Sequence, residues 1–122
     1  MIFILIFLVI YLYSKLNKQK NNNKNSIIET LIRQCSRWAV AAIQDKSPII
    51  SVLHANYAAG YLWALKDIAS DIEIKQATNI NIIKFTKKIT TVQDLCTKRV
   101  SANCPQFLEH IDKELARLGG DL

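Results

Sequence analysis

The chain has 122 residues, half of them hydrophobic, with 16 Lys and Arg against 10 Asp and Glu. That length allows one small domain and excludes a multidomain enzyme. The net charge of +6 does not mark a nucleic-acid surface, because residues 1–25 hold Lys15, Lys18, Lys20 and Lys24 and no acid, which leaves 12 bases against all 10 acids in the remainder.

The first element is the run Met1–Tyr13 (MIFILIFLVIYLY), which has no charge, Pro or Gly. As a helix, residues 1–16 rise about 24 Å, short of a bilayer core of about 30 Å, a gap that local thinning and snorkelling of Lys15 can close. Tyr11 and Tyr13 stand where interfacial aromatics belong. A cleaved secretory signal is the competing reading. No base precedes the run and no small-x-small site follows it, so the pattern favours a retained signal-anchor. All four nearby lysines follow the run, so the positive-inside rule predicts a single-pass protein with its C-terminal part in the cytoplasm. Lys15, Lys18, Lys20 and Lys24 are the candidate lipid-headgroup residues, each contributing about 1 kcal/mol beside an anionic surface.

Ser14–Asn25 (SKLNKQKNNNKN) is polar and of low complexity, with almost nothing to bury. It predicts a flexible, disordered tether, with residues 17–25 as the linker proper. Residues 26–122 then form the domain.

Ser26-Ile27-Ile28-Glu29 has the spacing of a capping box. The apolar residues Ile28, Leu31, Ile32, Cys35, Trp38, Ala39, Ala42 and Ile43 follow at helical spacing. Ser47-Pro48 starts a second helix. Ile49–Ala69 is apolar nearly all round, which predicts a central, buried helix. Its small residues Asn56, Gly60 and Ala64, with Ala55 and Ala59 beside them, suit close helix packing. Asp71-Ile72-Glu73-Ile74 alternates, so residues 70–81 read as a short strand or a frayed helical turn, with Asn81 as the next N-cap. Ile82, Phe85, Ile89, Val92, Cys96 and Val100 predict a third helix, with Lys84, Lys87, Lys88 and Lys98 off its stripe. Cys104-Pro105 opens a fourth, with Leu108, Ile111, Leu115 and Leu118 inward and Gly119-Gly120 as its stop. The fold class expected is all-α: an N-terminal membrane-anchor helix, a flexible tether and a compact bundle of about four helices.

Chemistry is sparse. The three glycines form no phosphate loop, the two histidines, His54 and His110, lie far apart, and no Cys-x-x-Cys occurs. No metal site and no cofactor are expected. Cys35 and Cys96 read as core residues, and all three cysteines should be reduced in the cytosol. Cys104 at a helix start is a weak candidate for a reactive thiol. His54, with Tyr57 and Tyr61 at i+3 and i+7, is the one candidate proton-transfer group or pH switch, although no carboxylate is evident in sequence to orient it.

The run Leu53–Ile68 (LHANYAAGYLWALKDI), taken with the N-terminal anchor, Val92-Gln93-Asp94 and Cys104-Pro105, resembles a group of small uncharacterised, N-terminally anchored proteins of large DNA viruses and marine metagenomes. The resemblance implies a viral membrane or virion component and carries no activity. The expected function is a membrane-tethered helical module for protein interaction or structure. Its partners would be the membrane through residues 1–16 and an unidentified protein, with no nucleic acid and with homo-oligomerisation left open. The alternative is a small enzyme or ligand binder built around His54, Tyr57 and Tyr61.

Overall fold

The structure, a computed structural model, describes residues 2–104. These residues are all-helical. Helix α1 (Ile2–Gln44) is followed by α2 (Pro48–Ile68), α3 (Asp71–Thr78) and α4 (Ile82–Asn103). The helix expected over Pro105–Leu118 lies outside the described residues.

Helix α1 corrects the expected organisation. It runs unbroken for 43 residues, about 64 Å, through the stretch expected to be a disordered tether. The Ser26 capping box is therefore unused, since a mid-helix serine has no free amides to cap. The polar residues have little to bury, but helix nucleation is the costly step and the strong flanking segments bear it. Lys18, Gln19, Lys20 and Lys24 are also good helix formers that offset the asparagines. A tertiary contact adds to this: Lys24 Nζ donates to Glu73 Oε1 at 2.5 Å, joining the polar stretch to α3.

The second half of α1 builds the core. Ile28, Ile32, Cys35, Ala39 and Ala42 are buried, at i, i+4, i+7, i+11 and i+14 spacing, as a helix face requires. Ile43, expected inward, is 65% exposed because it stands at the margin of that stripe. Cys35 Sγ donates to Ala58 O at 3.1 Å, and Ser51 Oγ donates to Ala42 O at 2.7 Å. Contacts that advance along one helix while retreating along the other make α1 and α2 antiparallel. Cys96 approaches Ala42, and Arg99 reaches Asp45, both across 54 residues of sequence, so α4 runs parallel to α1. Together α1, α2 and α4 pass down, back and down again.

Helix α2 is central, touching both α1 and α4, yet it is not buried all round as its sequence suggested. Ser51, Ala55, Ala58, Ala59, Leu62 and Leu65 are buried, whereas Leu53, Tyr57 and Trp63 are exposed. Two neighbours can cover only part of a helix circumference. The small residues separate accordingly: Ala55, Ala58 and Ala59 admit α1 and α4, while Asn56, Gly60 and Ala64 face outward.

Residues 71–78 take the helical alternative, as a two-turn helix capped at both ends, and form no strand. Ser70 and Glu73 make a complete capping box, and Asn79 closes the helix at φ 59°. That left-handed conformation is one asparagine tolerates better than other residues with a Cβ. Asn81 then caps α4 as expected, its Oδ1 accepting from Lys84 N at 3.0 Å. Ile82, Ile89 and Cys96 of the predicted stripe are buried, with Phe85 and Val92 packed against the core. Lys84, Lys87, Lys88 and Lys98 are exposed.

Candidate functional site

Two places on the molecule gather polar and aromatic groups. The first is the corner between α1 and α2. Asp45, Lys46 and Ser47 form the turn, and Ser47 Oγ caps α2 by accepting from Ile50 N at 3.5 Å. Nearly two turns into α2, His54 faces back toward the corner, and its Nδ1 pairs with Asp45 Oδ2. The sequence reading missed this carboxylate, because nine residues and a change of helix direction separate the two groups. An acid in the turn after an amphipathic helix is too common to single out.

The His54 ring lies against Trp38, with centroids 4.9 Å apart, and Trp38 meets Tyr57 edge-on at 5.2 Å. The His54 and Tyr57 rings are 6.2 Å apart. An open groove of about 450 Å³ continues from this cluster, lined by Trp38, Asn56, Tyr57, Gly60, Tyr61 and Ala64. The structure thus brings Tyr57 and Tyr61 to one groove and adds Trp38 from α1. His54 stands at its edge, not in its lining. Asn56 Oδ1 accepts from Gln93 Nε2 at 2.9 Å, which ties the groove to α4.

Carboxylate–histidine pairs orient imidazoles in hydrolytic sites, but a nucleophile must lie on the other ring nitrogen. Ser51, three residues before His54, does not fill that role. It is fully buried, donates to Ala42 O, lies 3.0 Å from Cys96 Sγ and accepts from Arg99 Nη1 at 3.1 Å. Arg99 also donates to the Asp45 and Lys46 carbonyls at 3.1–3.3 Å. That guanidinium satisfies the carbonyls left free where α1 ends, as a basic group at a helix C-terminus should. The corner is a hydrogen-bonded brace between three helices, and no buried side-chain N or O among the described residues lacks a partner.

The cysteines are free thiols, with Cys35 and Cys96 buried. Burial pushes the Cys35 thiol up to about 12, so it stays protonated at neutral pH. Cys104 is the C-cap of α4, its N–H donating to Val100 O at 2.7 Å. The described residues therefore supply no helix N-terminus beneath its sulfur. Among them there is also no cluster of three His, Cys, Asp or Glu able to hold a metal ion.

The second place is the neck, where α1 leaves its exposed apolar segment and meets α3. Lys20 and Lys24 line a groove there of about 570 Å³ with Asn17, Asn21, Ile27, Ile68 and Glu73. Lys15 and Lys18 lie on the opposite side of α1, about 140–160° around the helix from Lys20. Glu73 is held down to about 2, first by the Lys24 hydrogen bond and then by the Ser70 amide and hydroxyl. Before the neck, α1 carries a window with mean hydropathy 1.4, none of it buried. This helix is long and apolar enough to cross a membrane.

Compared with known families, curated proteins and solved structures, the chain matches no family model, no curated sequence and no known structure.

Proposed function

We propose that the protein is a membrane-tethered helical module for protein interaction or structure, not an enzyme. Residues 1–16 anchor it and residues 26–122 work at the membrane surface on the cytoplasmic side. The observation that carries this reading is α1 itself. One helix bears an apolar segment exposed on every side, then a basic stretch, then a face committed to the core. Ile2–Tyr13 are about half or more exposed, Phe3 by 77%. Apolar surface on that scale is costly in water and costs nothing in hydrocarbon. A helix continuous through the neck makes the attachment stiff, so the domain is held in a set orientation above the bilayer. The viral membrane or virion setting implied by the sequence resemblance fits such a module.

The protein-contact surface proposed is the outward side of α2 with Trp38, where Tyr57, Tyr61 and the exposed small residues form the aromatic groove. Aromatic residues over a shallow apolar trough are what interface centres favour.

Alkaline carbonate extraction tests the tether. The full chain should stay in the membrane pellet, and a variant with Leu5, Leu8 and Leu12 all changed to Glu should move to the supernatant with its helical circular dichroism retained. Full-length protein in the supernatant would refute the anchor. The groove and the Asp45–His54 pair favour one second reading, a ligand binder at this corner. His54→Ala separates the two: the module keeps its partner, whereas a site working through His54 loses its ligand.

A further inference from the structure

The neck groove has a composition that core packing does not explain. Its walls are polar (Asn17, Asn21), its cations are Lys20 and Lys24, its one anion is Glu73, and its far end is closed by Ile27 and Ile68. Ile27 is 51% and Ile68 44% exposed, so both side chains present apolar surface to whatever enters. Lys24 gives one of its three N–H groups to Glu73, and Lys20 has no ion pair among the described residues. With both lysines charged and Glu73 ionised, the groove is left at +1.

The height of the groove matters as much as its chemistry. Along α1, Asn17 lies about 1.5 Å and Lys20 about 6 Å beyond Leu16, the last apolar residue of the N-terminal segment. Lys24 lies about 12 Å beyond it. The polar layer of a bilayer is about 5–8 Å deep on each side of the hydrocarbon. Lys20 thus sits at the level of lipid phosphates, whereas Lys24, at about 12 Å, and Ile27, at about 16.5 Å, stand beyond that layer and meet only a headgroup that projects past its phosphate.

We propose that the neck groove is a binding site for one anionic lipid whose headgroup is a phosphate-linked polyol, glycerol or inositol. Lys20 and the Asn17 and Asn21 amides take the phosphate oxygens, and Lys24 stands over the first hydroxyls. Ile27 and Ile68 cover the C–H face of the polyol. Glu73 gives the selectivity. A carboxylate accepts hydrogen bonds from hydroxyls and repels a second carboxylate, so it favours a polyol over a headgroup carrying its own carboxylate, such as phosphoserine. The proposal rests on residues 1–16 being a membrane anchor. It differs from general attraction of four lysines to a charged surface because only Lys20 and Lys24 face the groove.

The test is native mass spectrometry of the full chain released from phosphatidylcholine nanodiscs. These contain phosphatidylinositol and phosphatidylserine in equal amounts. The expected result is one retained phosphatidylinositol per chain, at least threefold over phosphatidylserine. Lys20→Gln should lower that occupancy about tenfold, the loss of one charge-assisted contact to phosphate. Lys18→Gln removes the same charge from the far side of the helix and should lower it by less than half as much. Glu73→Gln should raise phosphatidylserine retention relative to phosphatidylinositol. Equal losses in Lys18→Gln and Lys20→Gln, or equal retention of the two lipids, would overturn the site in favour of simple charge attraction. Glycerophosphoinositol added to the chain in detergent separates the sources: retention equal to that of the lipid would make this a site for a soluble phosphate and overturn the lipid assignment. Carbonate extraction run in parallel keeps the two ideas apart. A chain that stays in the pellet but retains no lipid loses the groove and keeps the anchor. A chain that is washed out loses both.

Discussion

The two halves of α1 belong to one continuous helix and obey opposite rules. Ile2–Tyr13 is uniformly apolar and wholly exposed, whereas residues 28–42 mix apolar with polar residues and supply much of the core. Apolarity alone does not place a residue in a protein interior; periodicity does. A helix face repeating near 3.6 residues can lie against α2 and α4, while a segment apolar on every side would need neighbours all round it. The described residues provide none for its first half.

The contrast can be broken most forcefully at the core. Leu62 is fully buried in the cluster that includes Ile28 and Ile32. Leu62→Ala should lower the unfolding free energy by about 3 kcal/mol, the usual cost of a leucine-sized cavity. Leu8→Ala, the same change in the exposed half, should leave it within about 0.5 kcal/mol. Urea unfolding of the full chain in micelles, followed by circular dichroism, measures both. Equal effects would mean that the N-terminal half is packed against the domain.

Ser51→Ala comes next. It removes the acceptor of Arg99 and the donor to Ala42 O at a site without water access, and should cost about 1–3 kcal/mol by the same measurement. Thermal melts of Ser51→Cys, which keeps a weak donor, should fall between the two.

On the outward side of α2 the sign reverses. A Cβ built on Gly60 meets no atom within 4 Å. Gly60→Ala should stabilise the domain by about 0.5–1 kcal/mol through the entropy of the unfolded chain and helix propensity. Destabilisation would show that the groove is narrower than described.

The smallest expected effect sharpens the boundary between the halves. Glu73 is ordinarily a carboxyl of 4.5 and is lowered to about 2. A depressed acid contributes stability above its unfolded value and loses it as pH falls through the folded one. Amide exchange of residues 17–25, relative to the intrinsic rate, should therefore quicken as pH drops from about 4.5 toward 2. Glu73→Gln should abolish that dependence. Exposure of both partners keeps the effect local, and exchange rates, not global melts, will read it.

Much of the fold was legible from local signals. Ser47-Pro48 and Asn81 are caps whose chemistry is complete within four residues, and the stripes of α1 and α4 are periodic enough to be assigned without partners. Residues 70–81 were harder. The alternation Asp71-Ile72-Glu73-Ile74 hid a capping box at Ser70 and Glu73, which decides in favour of helix once Ile74 is buried against the α1 core. At the candidate sites, Tyr57 and Tyr61 were found by spacing along one helix. Asp45, Trp38 and Arg99 could be placed beside them only by the packing of α1 and α4 on α2.

By itself, the sequence determined the helical class, the apolar N-terminal segment, the starts of α2 and α4 and most core positions, because each depends on residues within a turn or two. Tertiary structure alone decided that α2 is exposed on one side, that Asp45 orients His54 and that the neck forms a groove. Each of these depends on groups far apart in the chain. Lys24 and Glu73 meet across 49 residues, and Arg99 reaches the α1 terminus across 54. No local pattern encodes such distances; the close packing of the three long helices does.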